Sequence, residues 1–308
     1  RCGSGLRTIM LAADRIRLGD AKVIMAGGME SATKAPYILA EARWGFRMGE
    51  QKAADVLHVD GFLCPLAGRL MGQITDEVVI PELGITREEQ DEFSYHSHMK
   101  AVAAIEQGLF KDEIVPVTIK DKKKGEIILG TDEIPRKDTT VESLAKLPVI
   151  FKKDGTITAG SSSALCDAGS AVMVADSGWA KAQGLKPLAE IVSYAVAAVD
   201  AEHFPIAPVK AMGIALKKAA MSIDDMELIE INEAFAAQVI ACHRQMPFDM
   251  SRLNVHGGAI ALGHPIGASG TKILTTLIYS LKQQGKSLGL ASACIGGGQG
   301  VAMIVKLI

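Results

Sequence analysis

The stretch SGTKILTTLIYSLKQQGKSLGLASACIGGG, residues 269–298, places a helix, a strand and a glycine-rich loop in immediate succession. Apolar residues recur at helical spacing from Ser269 to about Lys282, and Gly285 ends the pattern. Residues 288–293 form a continuous apolar run, which indicates a buried strand. The three glycines at 296–298 then allow the backbone to approach a ligand closely.

The beginning of the chain repeats this plan. Residues 6–18 predict a helix that ends at Gly19, and residues 21–26 predict a buried parallel strand leading into Gly27-Gly28. Both units open with Ser-Gly, and both place a cysteine beside glycines. We interpret the pair as an internal duplication.

Residues 32–162 differ from these units and predict an inserted lobe. Thr86 and Glu89 form a capping box that opens a long helix. Residues 114–120 and 127–129 predict a hairpin around Lys124-Gly125, followed by polar, irregular segments.

Helices and strands alternate again after the predicted lobe. A further αβ unit begins near Ala168, and Ser222 and Asp225 form a capping box before a strand at 227–231. The alternation favours a layered α/β fold with mostly parallel sheets.

The composition excludes several classes of function. The 33 Lys+Arg and 35 Asp+Glu residues give a net charge of -2, so no global field attracts nucleic acid or an anionic membrane. No apolar run is long enough to span a bilayer, and no signal peptide is recognisable. Five cysteines, an odd number spread over 308 residues, indicate free thiols in a reducing, cytoplasmic setting. No cluster has metal-ligand spacing, so we expect no metal.

The first residues are unusual. Arg1 is followed at once by Cys2, which precedes Gly3-Ser4-Gly5 and a helix. A thiol at a helix start is exposed to the positive end of the dipole, which favours the nucleophilic thiolate. Most cysteines in that position are inert, so the motif alone is weak. Because a complete protein rarely opens inside such a motif, we expect that a preceding segment is missing.

Three further motifs carry groups that suit acyl chemistry. His264 lies in the glycine-rich loop 263–270, where it could take a proton from a thiol. Cys294 and Gly296 follow a strand, and the glycine N–H groups there could form an oxyanion hole. Asn232 could hold a water or a carbonyl oxygen. Ala234 and Phe235 beside it could line an acyl pocket, whereas Glu233 is more typical of a helix cap.

Together these motifs resemble the thiolase family along the whole chain. The resemblance rests on motifs at 2–5, 26–31, 71–72, 158–160, 232–235, 257–265 and 294–298, which also agree in order and approximate spacing. It implies a thiolase-type α/β fold with two duplicated βαβαβαββ halves in layered α/β/α/β/α packing. It also implies a loop domain at 32–162 over the coenzyme A site, between an N-terminal domain at 1–31 and 163–183 and a C-terminal domain at 184–308.

The resemblance also implies a mechanism. Cys2 would attack a 3-ketoacyl-CoA with the help of His264, and Cys294 would exchange the proton of the acetyl-CoA α-carbon. Asn232 would hold a water that stabilises the enolate together with His264. The backbone N–H groups of Cys2 and Gly296 would form the oxyanion hole. Coenzyme A enters as a substrate, and no other cofactor is implied.

Substrate contacts follow from the same resemblance. Ser163 and Ala159 match positions along the pantetheine arm, and Met71, like Phe235, matches a position near the acyl group. Many short-chain members have a histidine where this chain has Leu70, which leaves longer acyl chains open.

The implied partners are acyl-CoA and CoA, in a homodimer or homotetramer. Two other readings of the residues remain open. One is a ketoacyl synthase, although that enzyme normally uses two histidines with its cysteine. The other is an inactive fragment that binds CoA or acyl lipids.

Overall fold

The computed structural model describes residues 1–121, 123 and 125–308. The α-helices are α1 Ser4–Arg17, α2 Met71–Ile74, α3 Ile80–Leu83, α4 Arg87–Glu106, α5 Val141–Ala145, α6 Ser177–Ala182, α7 Ala207–Ala219, α8 Ala236–Gln245, α9 Ala259–Leu262 and α10 Ser269–Gln283. The strands are β1 Val23–Glu30, β2 Tyr37–Ile38, β3 Ala54–Asp55, β4 Leu63–Cys64, β5 Arg69–Leu70, β6 Val117–Asp121, β7 Gly125–Leu129, β8 Ala168–Ala175, β9 Ala189–Ala198, β10 Leu228–Ile231, β11 Leu288–Ile295 and β12 Gln299–Leu307.

A four-stranded sheet in the order β10-β11-β12-β9 forms the C-terminal half. β10 runs parallel to β11, while β11–β12 and β12–β9 are antiparallel. The β-strand residues alternate between two apolar layers. Leu290, Ala302 and Ile304 pack with α7 on one face, and Ala291 and Met303 pack with α1 and α10 on the other.

A second sheet pairs β1 with β8, antiparallel along eight residues of each strand. Both α1 and α10 contact this sheet as well as the larger one, so they form the middle layer of the molecule. On the outer face Met25 and Met29 are exposed, at 79% and 77%. This arrangement of helices between two sheets agrees with the predicted layered thiolase-type fold.

Two details of the sequence prediction are wrong. β1 is neither parallel nor buried on both faces, and it continues through Gly27-Gly28 to Glu30 instead of ending there. Gly27 permits this because a Cβ atom there would lie only 2.8 Å from Ala171 Cα of the partner strand. The sheets are also mostly antiparallel, since only the β10–β11 pair among the described strands is parallel.

The predicted duplication is confirmed by the order of elements. α1, β1 and β8 form a helix followed by two antiparallel strands, and α10, β11 and β12 form the same unit. The difference lies in the connection: β11 reaches β12 through a short glycine turn, whereas β1 and β8 are separated by the inserted residues.

The inserted residues contain the predicted local structures. α4 begins at the Thr86–Glu89 capping box, and β6 pairs with β7 as the predicted hairpin. Lys124, where we predicted its turn, lies outside the described part of the chain. α4 packs against α9 through Ala101 and Ala261. The predicted domain limits stay a prediction. Within the described residues, no helix combines the length and apolar character that a bilayer crossing needs.

Candidate active site

Cys2 lies just before α1 and is buried. Its loop can approach β11 because Gly3 has no side chain; a Cβ atom there would lie 2.9 Å from Ile295 Cγ1. Burial raises the pKa of the Cys2 thiol, while hydrogen bonds from the backbone N–H groups of Cys2 and Gly296 lower it. The position before a helix therefore does not by itself produce a thiolate, and the thiol needs a base.

The two N–H groups beside the sulfur have a second consequence. Cys2 and Gly296 come from opposite ends of the chain, yet the backbone N–H groups of both lower the pKa of the same thiol, which places them close to its sulfur. Donors placed in this way would also reach the oxygen of an acyl group attached to that sulfur. The arrangement supports the oxyanion-hole role predicted for these residues.

His264 lies between α9 and α10 and is held by two polar contacts. Its backbone N–H donates to Ala164 O at 2.8 Å, and its Nδ1 lies 2.5 Å from Ser269 Oγ. Burial, with the charge of Lys272, lowers the pKa of His264 to about 4. A neutral imidazole is the form that accepts a proton, so His264 can serve as the base that Cys2 requires.

Asn232 directly follows β10, and its backbone N–H donates to Ser292 O at 2.9 Å. Its side-chain Nδ2 lies 3.5 Å from His264 Nε2. The amide and the imidazole are therefore immediate neighbours, as the predicted pair that holds a water would require.

Cys294 occupies β11, opposite Gly300 of β12, and is almost fully buried. Burial raises its pKa well above the ordinary value, and the nearby Cys2 and Cys242 raise it further. Two thiols this close disfavour each other's ionisation. Cys294 is consequently a neutral thiol when Cys2 is a thiolate, which suits a group that gives a proton to a carbanion formed beside it.

The residues predicted to contact the acyl group meet in one cluster. Met71, Ala234 and Cys294 share a buried apolar cluster with Cys64 and Phe204, and Phe235 packs against it. The sequence did not indicate Cys64 and Phe204 as part of the site, because a single apolar residue forms no recognisable motif. The cluster places apolar walls directly beside one of the two thiols.

The predicted pantetheine positions lie on one connected segment. Ala159 is exposed in a short 3-10 turn, and the Ser163 N–H donates to Ala234 O at 3.1 Å. The next N–H, of Ala164, donates to Ala259 O at 3.3 Å. The segment is thus attached to the loops that carry Asn232 and His264, while contact with coenzyme A remains a prediction.

Glu233 has the structural role that the sequence suggested. Its carboxylate accepts hydrogen bonds from Ser97 Oγ at 2.7 Å, Asn254 Nδ2 at 2.8 Å and the Ile260 N–H at 3.0 Å. Ile260 lies in the first turn of α9. Glu233 therefore connects the strand end that carries Asn232 to α4 and to the loop that leads to His264.

A buried cysteine, a neutral histidine, a second thiol and a pair of backbone amides are the groups that thiol-dependent acyl-transfer enzymes use. The profile of the family described as "Thiolase, N-terminal domain" matches residues 1–178, and that of "Thiolase, C-terminal domain" matches residues 185–307. This chain belongs to the thiolase family.

Individual relatives of this chain indicate the same family. An acetyl-CoA acetyltransferase of Syntrophomonas wolfei is 51% identical over 311 residues, which cover 100% of this chain and 78% of the relative. The crystal structure of the Bacillus anthracis acetyl-CoA acetyltransferase gives a TM-score of 0.96 at 44% identity, and that of human mitochondrial 3-ketoacyl-CoA thiolase gives 0.96 at 41%. Both alignments cover 100% of this chain and 77% of the solved one.

Proposed function

We propose that this chain catalyses the reversible thiolysis of 3-ketoacyl-CoA through an acyl group carried on Cys2. The proposal rests on two groups of residues and on the packing that joins them. Cys2 lies near Cys294 and the Gly296 amide, Asn232 lies beside His264, and the helix starts that follow Cys2 and His264 pack against each other. Coenzyme A and acyl-CoA are the substrates, and we propose no resident cofactor or metal.

The first half of the reaction breaks the carbon–carbon bond. His264 takes the Cys2 proton, and the thiolate adds to the 3-keto carbon while the Cys2 and Gly296 amides stabilise the oxyanion. The bond between the α-carbon and the keto carbon then breaks, leaving an acyl-Cys2 thioester and the enolate of acetyl-CoA. Asn232, through a water, and His264 stabilise that enolate, and Cys294 protonates it.

The second half regenerates the enzyme. A free CoA thiol loses its proton to the Cys294 thiolate and attacks the Cys2 thioester, which gives a shortened acyl-CoA and the Cys2 thiolate. The proton first accepted by His264 then returns to Cys2. Run in reverse, the same steps condense acetyl-CoA with an acyl-CoA.

The length of the acyl group is the finer question. Leu70, half-buried beside Met71, stands where short-chain members of the family often have a histidine. The apolar cluster around Cys64, Phe204 and Ala234 supports acceptance of acyl groups longer than acetyl. The names of the relatives include both acetyl-CoA acetyltransferase and 3-ketoacyl-CoA thiolase.

The test mixes the protein with CoA and either acetoacetyl-CoA or a longer 3-ketoacyl-CoA, and follows loss of the ketoacyl-CoA enolate absorbance. We expect turnover that disappears in Cys2→Ala and persists in Ser280→Ala, which changes a buried serine of α10 that contacts His256 outside the site. Incubation with acetyl-CoA should add one acetyl group to the intact protein but not to Cys2→Ala. The ratio of the thiolysis rates with acetoacetyl-CoA and with the longer 3-ketoacyl-CoA measures the chain-length preference.

The same samples separate the alternatives. Decarboxylation of a malonyl thioester would indicate ketoacyl-synthase chemistry. Tight CoA binding by a folded sample, with no turnover of either ketoacyl-CoA and no acetyl-enzyme, would mark an inactive binding protein and overturn the proposal.

Assembly and location are proposals of the same kind. We propose a homodimer or homotetramer, supported by the exposed Met25, Met29 and Met173 on the outer face of the β1–β8 sheet. Light scattering would measure its mass. The five free cysteines support a reducing compartment, and we propose the cytoplasm.

A further inference from the structure

Ser269, the first residue of α10, has a buried hydroxyl between two hydrogen-bond partners. Its Oγ lies 2.5 Å from His264 Nδ1 and 2.8 Å from Pro265 O. A hydroxyl has one proton to donate and lone pairs with which to accept. The direction of these two hydrogen bonds therefore determines which nitrogen of His264 carries the proton.

The surroundings favour one direction. Pro265 O can only accept, so it takes the hydroxyl proton, and Ser269 Oγ then accepts from a protonated Nδ1. The other nitrogen, Nε2, has the Asn232 side-chain Nδ2 at 3.5 Å. Because an amide nitrogen can only donate, it suits an unprotonated Nε2 and would oppose a second N–H there.

We propose that Ser269 is a positioning residue that holds His264 in the Nδ1–H tautomer and so keeps Nε2 as the basic nitrogen. The inference rests on the proposed function, because it assigns a role for Nε2 in taking the Cys2 proton. After that transfer, the Nδ1–H of the imidazolium still donates to Ser269 Oγ. The histidine thus keeps its orientation through the proton transfer.

Ser269→Ala tests this without removing the support of the loop. Pro265 O also accepts from the backbone N–H groups of Ala268 and Ser269, each at 2.8 Å, and these remain in the variant. The same helix offers a matched control. Ser280 Oγ lies 3.0 Å from His256 Nδ1, also between buried residues, but this pair lies outside the site. Ser280→Ala therefore removes an equivalent serine–histidine contact.

The direct readout is the tautomer. Nitrogen-15 NMR of histidine-labelled protein, with His264→Asn for assignment, should report Nδ1–H for His264 in the unchanged protein and in Ser280→Ala. In Ser269→Ala we expect a mixture with the Nε2–H form. Retention of the pure Nδ1–H form in Ser269→Ala would overturn the proposal.

Two rates complete the test. Alkylation of Cys2 by iodoacetamide should slow at pH 7 in Ser269→Ala and stay unchanged in Ser280→Ala, and it needs no CoA substrate. Thiolysis should lose about 10²-fold in kcat with little change in KM, since general-base catalysis typically contributes 10²–10⁴-fold. An unchanged alkylation rate and an unchanged kcat would also overturn the role of Ser269. If no protein turns over ketoacyl-CoA while the tautomer still depends on Ser269, the proposed function fails and the positioning role stands.

Discussion

Gly5 at the start of α1 and Gly270 at the start of α10 lie against each other's helices at equivalent positions. A Cβ atom on Gly5 would lie 2.6 Å from the Thr271 backbone nitrogen, and one on Gly270 would lie 2.8 Å from Leu6 Cβ. The two copies of the duplicated unit thus meet at their helix starts. Cys2 precedes one start and His264 precedes the other, so this contact brings the proposed nucleophile and its proposed base towards each other.

We expect either Gly5→Ala or Gly270→Ala to destabilise the protein and to reduce thiolysis strongly. Each added methyl group meets backbone atoms, which cannot move as a side-chain end does, so the helices must separate. Overpacking of this kind costs about 1–3 kcal/mol. Urea denaturation and the thiolysis assay measure the two effects.

The control is Gly213→Ala in the interior of α7. Its Cβ would find Met246 Cε at an ordinary 3.8 Å, so the change should be neutral or stabilise by up to about 1 kcal/mol through helix propensity. Equal behaviour of the Gly213 and Gly270 variants would show that the close helix contact is unimportant.

These glycines illustrate what a sequence can and cannot predict. The Ser-Gly pairs predicted two helix starts and a duplication, because helix signals are local. That Gly5 packs on Thr271 depends on the tertiary arrangement, and no local pattern contains it. The capping boxes at Thr86 and Ser222 were predictable for the same reason, since each involves residues three positions apart.

The strand β1 shows where local reading fails. An apolar run before two glycines is typical of a buried strand and a loop, yet β1 continues through the glycines and exposes Met25 and Met29. Apolar character does not distinguish a buried face from an exposed one, nor a parallel partner from an antiparallel one. The partner β8 lies far along the chain, beyond the inserted lobe.

The site divides in a similar way. Cys2, His264, Asn232 and Cys294 stand in glycine-rich motifs, so they could be named from the sequence, and the structure brings them together. Ser269 stood in one of those motifs, but its role depends on the direction of a hydrogen bond. The sequence also could not show that burial raises the pKa of the Cys2 thiol despite its place before a helix, because burial is a tertiary property.

The Glu233 carboxylate is a second testable connection. In Glu233→Gln one oxygen becomes an NH₂ group, which would face donors on Asn254 or Ile260 and leave one hydrogen bond unmade. We expect a loss of about 1–3 kcal/mol in the free energy of unfolding and a lower kcat, because Asn232 adjoins this residue. Urea denaturation and the thiolysis assay measure both.

Glu227→Gln is its matched control. A single oxygen of Glu227 accepts from the Ser287 and Leu288 N–H groups, at 2.7 and 3.0 Å, so a glutamine oxygen can replace it. This variant should retain activity and lose little stability. If Glu233→Gln behaves like Glu227→Gln, the donor arrangement around Glu233 is not what holds Asn232.

Gly296 and Met71 provide a coupling experiment. A Cβ atom on Gly296 would overlap the Met71 sulfur, so Gly296→Ala should displace Met71 and the amide that faces Cys2. We expect roughly a 10²-fold loss in kcat/KM, comparable to the loss of an oxyanion-hole donor. Met71→Ala should restore part of that loss when combined with Gly296→Ala. A purely additive double variant would contradict the contact.

Glu113 predicts a specific pH dependence of stability. Burial raises its pKa to about 7 from 4.5, Thr276 donates to one oxygen, and the other oxygen has no hydrogen-bond partner in the described chain. The folded protein therefore binds this proton more tightly than the unfolded chain. Between pH 4.5 and 7, ionisation of this carboxyl group therefore lowers the free energy of unfolding as the pH rises. Each unit of difference between the folded and unfolded pKa corresponds to about 1.4 kcal/mol, so the total is about 3 kcal/mol.

Glu113→Gln keeps the acceptor for Thr276 and removes the buried charge. We expect it to raise the urea midpoint at pH 8 and to change it little at pH 5, where Glu113 is mostly protonated in the folded state. Glu133→Gln changes an exposed glutamate of the same lobe. It should not alter the difference between the urea midpoints at pH 5 and pH 8. His264, whose pKa is lowered, acts in the opposite direction below pH 6.5, but it is present in every variant and cancels. Equal gains at pH 5 and pH 8 would mean that Glu113 affects packing rather than charge.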